Sequence, residues 1–255
     1  MKSKYDIIWM ESVDSTNDEA KRRLSDIDNL SVLSAQCQTA GRGQRGNSWS
    51  SSSGENLLFS VVLKFDSADA LPPVQAHDQF IISEAAALSA VDLLASHGIE
   101  AKIKWPNDIY VGDRKICGIL IENSLQGQWL SHSIVGIGLN VNQRNFDVNL
   151  PNPTSMVLCR DDEDYNTHEL LEEFMEIFVM YLERYCHIKG GYAKMRRMYL
   201  AQLWRMGQES SFIKTNGARK FTGTIQGLDD IGQLIIRLPD GSSEAFGFKE
   251  ISYII

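Results

Sequence analysis

The segment Lys104 to Glu122, KWPNDIYVGDRKICGILIE, constrains this chain more than any other. Pro106 fixes its own φ and drives Trp105 towards extended backbone, so the segment cannot open as ordinary helix. Ile109-Tyr110-Val111 reads as a short strand, Gly112-Asp113 as a hairpin turn, and Lys115 to Ile121 as the returning strand. Such a hairpin gathers Lys104, Asn107, Asp108 and Lys115 near one rim. Alone it is either a surface hairpin with solvated charges or a rigid polar site, and its company in the chain decides between them.

That company is a chain of 255 residues, enough for one large domain or one large and one small. Hydrophobic residues at 43% and charged residues at 23% are ordinary for a soluble globular protein. The net charge of −8 argues against broad nucleic-acid binding, while leaving room for a local cationic pocket. Cys37, Cys117, Cys159 and Cys186 form no CxxC pair and no Cys/His cluster, so reduced thiols in a cytoplasmic protein are expected. Met1 to Met10 lacks a signal-peptide core, and no uninterrupted apolar run spans a bilayer. The expectation is a protein with neither a membrane nor a DNA partner.

In chain order, Ile7-Ile8-Trp9 reads as a first strand and Asp18 to Leu24 as a helix. Between them, Ser15 or Thr16 either caps the helix or, with Asn17, offers a hydrogen-bonding cluster to a ligand. Leu30 to Cys37 reads as a strand. The following stretch, Gln38 to Ser53, is nearly devoid of aliphatic residues. Its Gly41-Arg42-Gly43-Gln44-Arg45-Gly46 matches GxGxxG, but no amphipathic helix opens there to face a pyrophosphate. It is a surface loop or a lid carrying guanidinium groups. Asn56 to Phe65 reads as a buried strand, Phe80 to His97 as the main core helix, and Trp129 to Asn142 as a strand ending in Gly136-Ile137-Gly138-Leu139-Asn140. Asn166 to Glu183 is an amphipathic helix, with Asn166 and Glu169 spaced as a cap, and Tyr192 to Trp204 is a second helix. From Gly207 onward, four short runs separated by tight turns suggest a small β-barrel appended to a larger α+β domain.

Four stretches stand in order: Asp14-Ser15-Thr16-Asn17, Gln38-Thr39-Ala40-Gly41-Arg42-Gly43, Lys104-Trp105-Pro106-Asn107-Asp108 through Lys115, and Gly136 to Asn140. Together they resemble the biotin–protein ligases over essentially the whole chain. The resemblance implies an α+β catalytic domain, like that of class II tRNA synthetases, with a central antiparallel sheet over residues 1–206. An SH3-like barrel over 207–255 follows. Family members that repress transcription carry an N-terminal helix-turn-helix domain. This chain starts almost at the first catalytic strand, so a monofunctional ligase is expected.

The implied chemistry joins biotin to ATP, giving biotinyl-adenylate and pyrophosphate. A lysine of the biotin carboxyl carrier domain of a carboxylase then takes the biotinyl group. Arg42, Lys104 and Lys115 are implied as catalytic cations. Ser15, Thr16, Asn17, Gln38, Arg42, Gly43, Gln44 and Lys115 are implied around biotin. Around ATP or the adenylate are implied Arg42, Arg45, Trp49, Lys104, Asn107, Asp108, Lys115 and Asn140. Magnesium is expected mainly on the phosphates, near Asp108 and Asn140. Many members continue the loop as GRGR, whereas here Gln44 stands at the second arginine and Arg45 follows. The competing readings are a lipoate–protein ligase and a non-catalytic biotin or adenylate sensor. Both monomer and homodimer are compatible with the sequence.

Overall fold

The computed structural model describes residues 4–65, 71–160, 164–186, 190–217 and 219–255, with the Arg45 side chain outside the description. The elements run β1 (Ile7–Val13), α1 (Thr16–Arg22), β2 (Val32–Gln38), β3 (Asn56–Lys64), α2 (Phe80–Ser96), β4 (Lys102–Lys104), β5 (Asp108–Val111), β6 (Arg114–Gln126) and β7 (Trp129–Asn140). Three helices follow, α3 (Met156–Arg160), α4 (Thr167–Cys186) and α5 (Gly191–Ala201). The chain ends in β8 (Glu209–Lys214), β9 (Arg219–Leu228), β10 (Leu234–Arg237), β11 (Ser243–Phe246) and β12 (Ile251–Ile254).

The first seven strands form one sheet in the order β1-β2-β3-β7-β6-β5-β4. It is antiparallel as expected except at one edge, where α1 carries the chain back and β1 pairs with β2 in parallel. The turn of the central hairpin falls where the sequence puts it, with Gly112 at φ 58°.

Strand alternation assigns the two faces of this sheet. Phe59, Ile137 and Ile119 lie in register across β3, β7 and β6, and so do Val61, Val135 and Ile121. This face packs into the main core with α2 and α4. The opposite face carries Val62, Ile134 and Glu122 in one row, Ser60, Gly136 and Leu120 in the next, and Leu58, Gly138 and Gly118 in the third. Here α1 covers only part of the surface, through a small cluster of Ala20, Ile27, Leu33, Val62 and Ile134. Beyond that cluster, Gly136, Gly138 and Gly118 leave the face bare.

α2 is the main core helix expected, and it is buried all round, since Ile82, Ala86, Ala87 and Leu93 are as enclosed as Ile81 and Leu88. The stretch Ala76–Ser96 has the length and apolarity to cross a membrane, but 72% of its apolar 18-residue window is buried inside the protein. The helix also buries Glu84, which is 1% exposed. Arg196 of α5 donates to Glu84 Oε1 and to the Asp229 carbonyl. Glu84 Oε2 has no hydrogen-bond partner among the described residues. Burial pushes the Glu84 carboxyl up to about 7, against the opposing pull of Arg196. In α4, Asn166 accepts from the His168 amide at 3.0 Å and donates to Glu169 at 2.8 Å, which is the cap its sequence suggests.

The C-terminal strands make an antiparallel sheet ordered β11-β10-β9-β8-β12. Its Phe212, Ile225, Leu234, Phe246 and Ile251 belong to the same buried core as α2. The joint runs through Trp105, whose Nε1 donates to the Gly232 carbonyl at 2.9 Å and whose ring lies 5.4 Å from that of Phe248. Gly232, at φ 88°, lies flat on the Phe80 ring, where an added Cβ would overlap it.

Candidate functional site

A cleft opens where the bare rows of the sheet meet the N-terminus of α1. Ser15, Thr16, Asn17 and Gln38 line one end, Arg42, Gly43, Gln44 and Trp49 the loop side, and Asn107 and Lys115 the hairpin side. Gly118, Leu120, Gly136 and Gly138 supply its floor. Three of the four sequence stretches therefore converge through their polar side chains, and the fourth contributes its glycines.

The α1 end is rigid. Ser15 sits at the N-cap with extended backbone but makes no side-chain cap bond, so the capping reading fails for it. Thr16 donates its amide to Gln38 Oε1 at 2.8 Å, and its hydroxyl oxygen lies 3.2 Å from the same atom. Ser60 Oγ lies 2.6 Å from Asn17 Oδ1 and 2.7 Å from Thr16 Oγ1. Asn17 donates to the Leu120 carbonyl and to Glu122. Ser15, Thr16 and Asn17 are all buried, and β2, β3 and β6 hold the polar atoms of Thr16 and Asn17.

On the loop side, Arg42 lies on two carboxylates, 2.5 Å from Asp18 and 3.0 Å from Glu122. Burial pulls the Arg42 guanidinium down, and these carboxylates more than restore it. Burial likewise pushes the Glu122 carboxyl up, but hydrogen bonds from Lys21 and Asn17 hold it below the usual carboxylate range. The Trp49 indole lies over Gly118 and Gly138, and an added Cβ on Gly118 would come within 2.8 Å of its Cζ3. Its Nε1 is buried without a hydrogen-bond partner among the described residues. The indole leaves a cavity of about 50 Å³. Sites for small organic ligands run to several hundred Å³, roughly 300 or more, so the indole must move for such a ligand to bind.

On the hairpin side, Asp108 Oδ1 pairs with Lys115 at 2.7 Å and Oδ2 stands 3.7 Å from Lys104. Lys115 Nζ is 5.5 Å from the Trp49 ring. Lys104 does not line the cleft. Its ammonium lies 4.8 Å from the Tyr110 ring and 5.1 Å from the Tyr253 ring of the C-terminal sheet. Burial lowers its pKa, against the pull of Asp108. Asn107 is fixed by a 2.7 Å bond to the Ile119 carbonyl. Asn140 is buried, donates to the Thr154 carbonyl at 2.9 Å, and also stands outside the cleft lining. Arg45 lies outside the described side chains.

The arrangement offers a flat trough with neutral donors and acceptors at one end and cations on its loop and hairpin sides. It offers no metal cage, because no group of three His, Cys, Asp or Glu could hold an ion among the described residues. Both oxygens of Asp108 already face lysines, so the protein side does not fit a directly ligated magnesium ion. The four cysteines are unpaired, and burial pushes the Cys117 thiol up to about 12, away from reactivity. Glu122, Asp18 and Ser60 escaped the sequence reading. The signal available for Glu122 was alternation, which puts it two residues beyond Leu120 on the face of Gly118.

The model of the biotin/lipoate A/B protein ligase family matches residues 9–140, and that of the biotin protein ligase C-terminal domain matches residues 213–252. Among curated relatives, a biotin–[acetyl-CoA-carboxylase] ligase of Paracoccus denitrificans is 30% identical over 231 residues, covering 89% of this chain and 92% of its own. Another from Mycobacterium tuberculosis is 28% identical over 232 residues, covering 87% and 79%. Among solved structures, the biotin protein ligase from Aquifex aeolicus in complex with biotin and ATP shares a TM-score of 0.78 at 26% identity, over 98% of both chains.

Proposed function

The chain belongs to the biotin/lipoate A/B protein ligase family, and from that premise we propose how its cleft carries out ATP-dependent ligation of biotin to a carrier protein. A biotin carboxylate oxygen attacks the α-phosphorus of ATP and pyrophosphate leaves. A carrier lysine amine then attacks the acyl carbon of the adenylate, and AMP leaves with the bonding electron pair. The observation that carries this reading is the glycine trough, closed at one end by Thr16, Asn17 and Gln38 and flanked by Lys115 on the hairpin side and Arg42 on the loop side.

The residues divide the work by their chemistry. Ser15, Thr16, Asn17 and Gln38 meet the ureido ring, where a fixed set of hydrogen-bonding groups favours a planar heterocycle. Gly118, Gly136 and Gly138 let that ring and its chain lie on the backbone. Lys115, oriented by Asp108, is the cation nearest the reacting end and offsets charge that accumulates at the α-phosphate. Arg42 leaves Asp18 and Glu122 to meet the anionic end of the ligand, carrying the Gly41 to Trp49 loop with it. Trp49 moves off the trough and packs beside the adenine. The closed loop keeps water from the mixed anhydride. Lys104 supports Asp108 from behind and ties the hairpin to Tyr253. Magnesium arrives on the phosphates, and no step here is assigned to it.

Residues 1–206 form the catalytic part and 207–255 an SH3-like barrel in this reading. The usual acceptor is the carboxyl carrier domain of a biotin-dependent carboxylase. The unpaired cysteines and acidic chain support a cytoplasmic setting. The test is exchange of labelled pyrophosphate into ATP. Exchange with biotin and not with lipoate is expected, and well-folded protein that exchanges with neither acid refutes the reading.

A further inference from the structure

Glu122 ties the loop side of the cleft to its α1 end through a single carboxylate. Its Oε2 accepts from Asn17 Nδ2 at 2.9 Å and from Arg42 Nη1 at 3.4 Å. Its Oε1 accepts from Lys21 at 2.8 Å and from Arg42 Nη2 at 3.0 Å. Asn17 Nδ2 also donates to the Leu120 carbonyl at 3.2 Å, so both of its protons are engaged. On the other side, Asn17 Oδ1 accepts from Ser60 at 2.6 Å and lies against the bare backbone of Gly136. That oxygen keeps a second lone pair.

A carboxylate and a main-chain carbonyl can only accept hydrogen bonds. Turning the Asn17 amide over would set its oxygen against Glu122 and the Leu120 carbonyl, acceptor facing acceptor. Ser60 alone would not prevent this, because a hydroxyl can donate or accept. Glu122 is also held ionised by hydrogen bonds from Lys21 and Asn17, which persist when Arg42 turns to the ligand, so it has no proton to offer.

We propose that Glu122 is a specificity-determining positioning residue that fixes Asn17 as a hydrogen-bond acceptor towards the trough, selecting ligands that present an N–H there. A cyclic urea presents such an N–H on each flank. A ring of the same shape with oxygen at that position presents a lone pair and is rejected. This inference rests on the biotin reading above and deepens it.

The test compares binding of biotin with its two isosteric carbamate analogues, in each of which one ring N–H is replaced by oxygen. Wild-type protein should prefer biotin over one of the two by on the order of 100-fold, because an unpaired buried acceptor is left facing a lone pair. In Glu122→Ala that preference should fall at least ~10-fold, since Asn17 is free to turn and donate to the ring oxygen. Glu122→Gln can accept from Asn17 through its own amide oxygen, so it should keep the preference within ~3-fold while losing its ion pairs to Lys21 and Arg42. Each preference is a ratio within one protein, so a general loss of stability cancels. A Glu122→Ala protein that still discriminates, a wild type that accepts both carbamates, or an equal loss in Glu122→Gln overturns the role of Glu122 and leaves the ligase reading standing. A folded wild type that binds no biotin overturns both.

Discussion

Removing the Trp49 side chain should affect the two stages of the reaction in opposite directions. The indole covers Gly118 and Gly138 and is itself mostly buried. A tryptophan buries on the order of 200 Å². Roughly three-quarters of that, at ~25 cal/mol per Å², holds the indole in place by about 4 kcal/mol. Against this stands the buried, unpartnered Nε1, a penalty of roughly 1.5 kcal/mol. The net hold is about 2 kcal/mol, so a ligand entering the trough gives up a factor of ~30 in affinity to displace it. Trp49→Ala should therefore bind biotin alone ~30-fold more tightly than wild type, as read by titration calorimetry without nucleotide. The same variant should release biotinyl-adenylate ~10-fold or more faster, since stacking on a base contributes ~1–3 kcal/mol. The release is read by chasing preformed complex with unlabelled biotin and ATP. Biotin binding that is unchanged or weaker in Trp49→Ala refutes the claim that the indole occupies the ligand's place.

Gln44→Arg would restore a second guanidinium to the loop lining, and it should slow release of the adenylate, measured by the same chase. An unchanged release rate shows that this position does not retain the intermediate. For Glu84, the folded carboxyl is raised from 4.5 to about 7 by burial, while the unfolded one titrates at its ordinary value. The group adds nothing below the unfolded pKa, and destabilises progressively as pH rises from there to about 7. The loss is on the order of 3 kcal/mol, constant at higher pH. Glu84→Gln should flatten that part of the urea-midpoint profile, and parallel profiles for the two proteins between pH 4.5 and 8 would contradict the assignment.

The sequence reading succeeded where a physical constraint was local. The turn at Gly112-Asp113, the cap at Asn166 and the long strand into Asn140 are each written in a few adjacent residues. It missed β4 and β12, short strands with no Gly/Asp turn beside them like those that mark the equally short β5, β10 and β11. It read α2 as the main core helix, and a helix enclosed by a sheet, two helices and the C-terminal module indeed has no solvent side on which to be polar. At the site, the motif stretches found Thr16, Asn17, Gln38, Arg42, Trp49 and Lys115, all of which line the cleft. Lys104 and Asn140 share the trough face by register but lie beyond its lining, Lys104 held against Tyr110 and Tyr253 at the sheet edge and Asn140 by the Thr154 carbonyl. Glu122 and Ser60 carried no motif. Their importance comes from register across β3, β7 and β6, which no single stretch of sequence states.

The joint at Trp105 has a consequence for how this protein tolerates change. Five consecutive residues, Lys104 to Asp108, orient Lys115 on one side and seat Gly232, Phe248 and Tyr253 on the other. A substitution in this segment is felt at once by the chemistry and by the attachment of the C-terminal strands. Cutting the chain before β8 would likewise uncover Trp105 and the Phe80 end of the central helix. The C-terminal module therefore behaves as a keystone, and its loss should be recorded as inactivity even though none of its residues lines the trough.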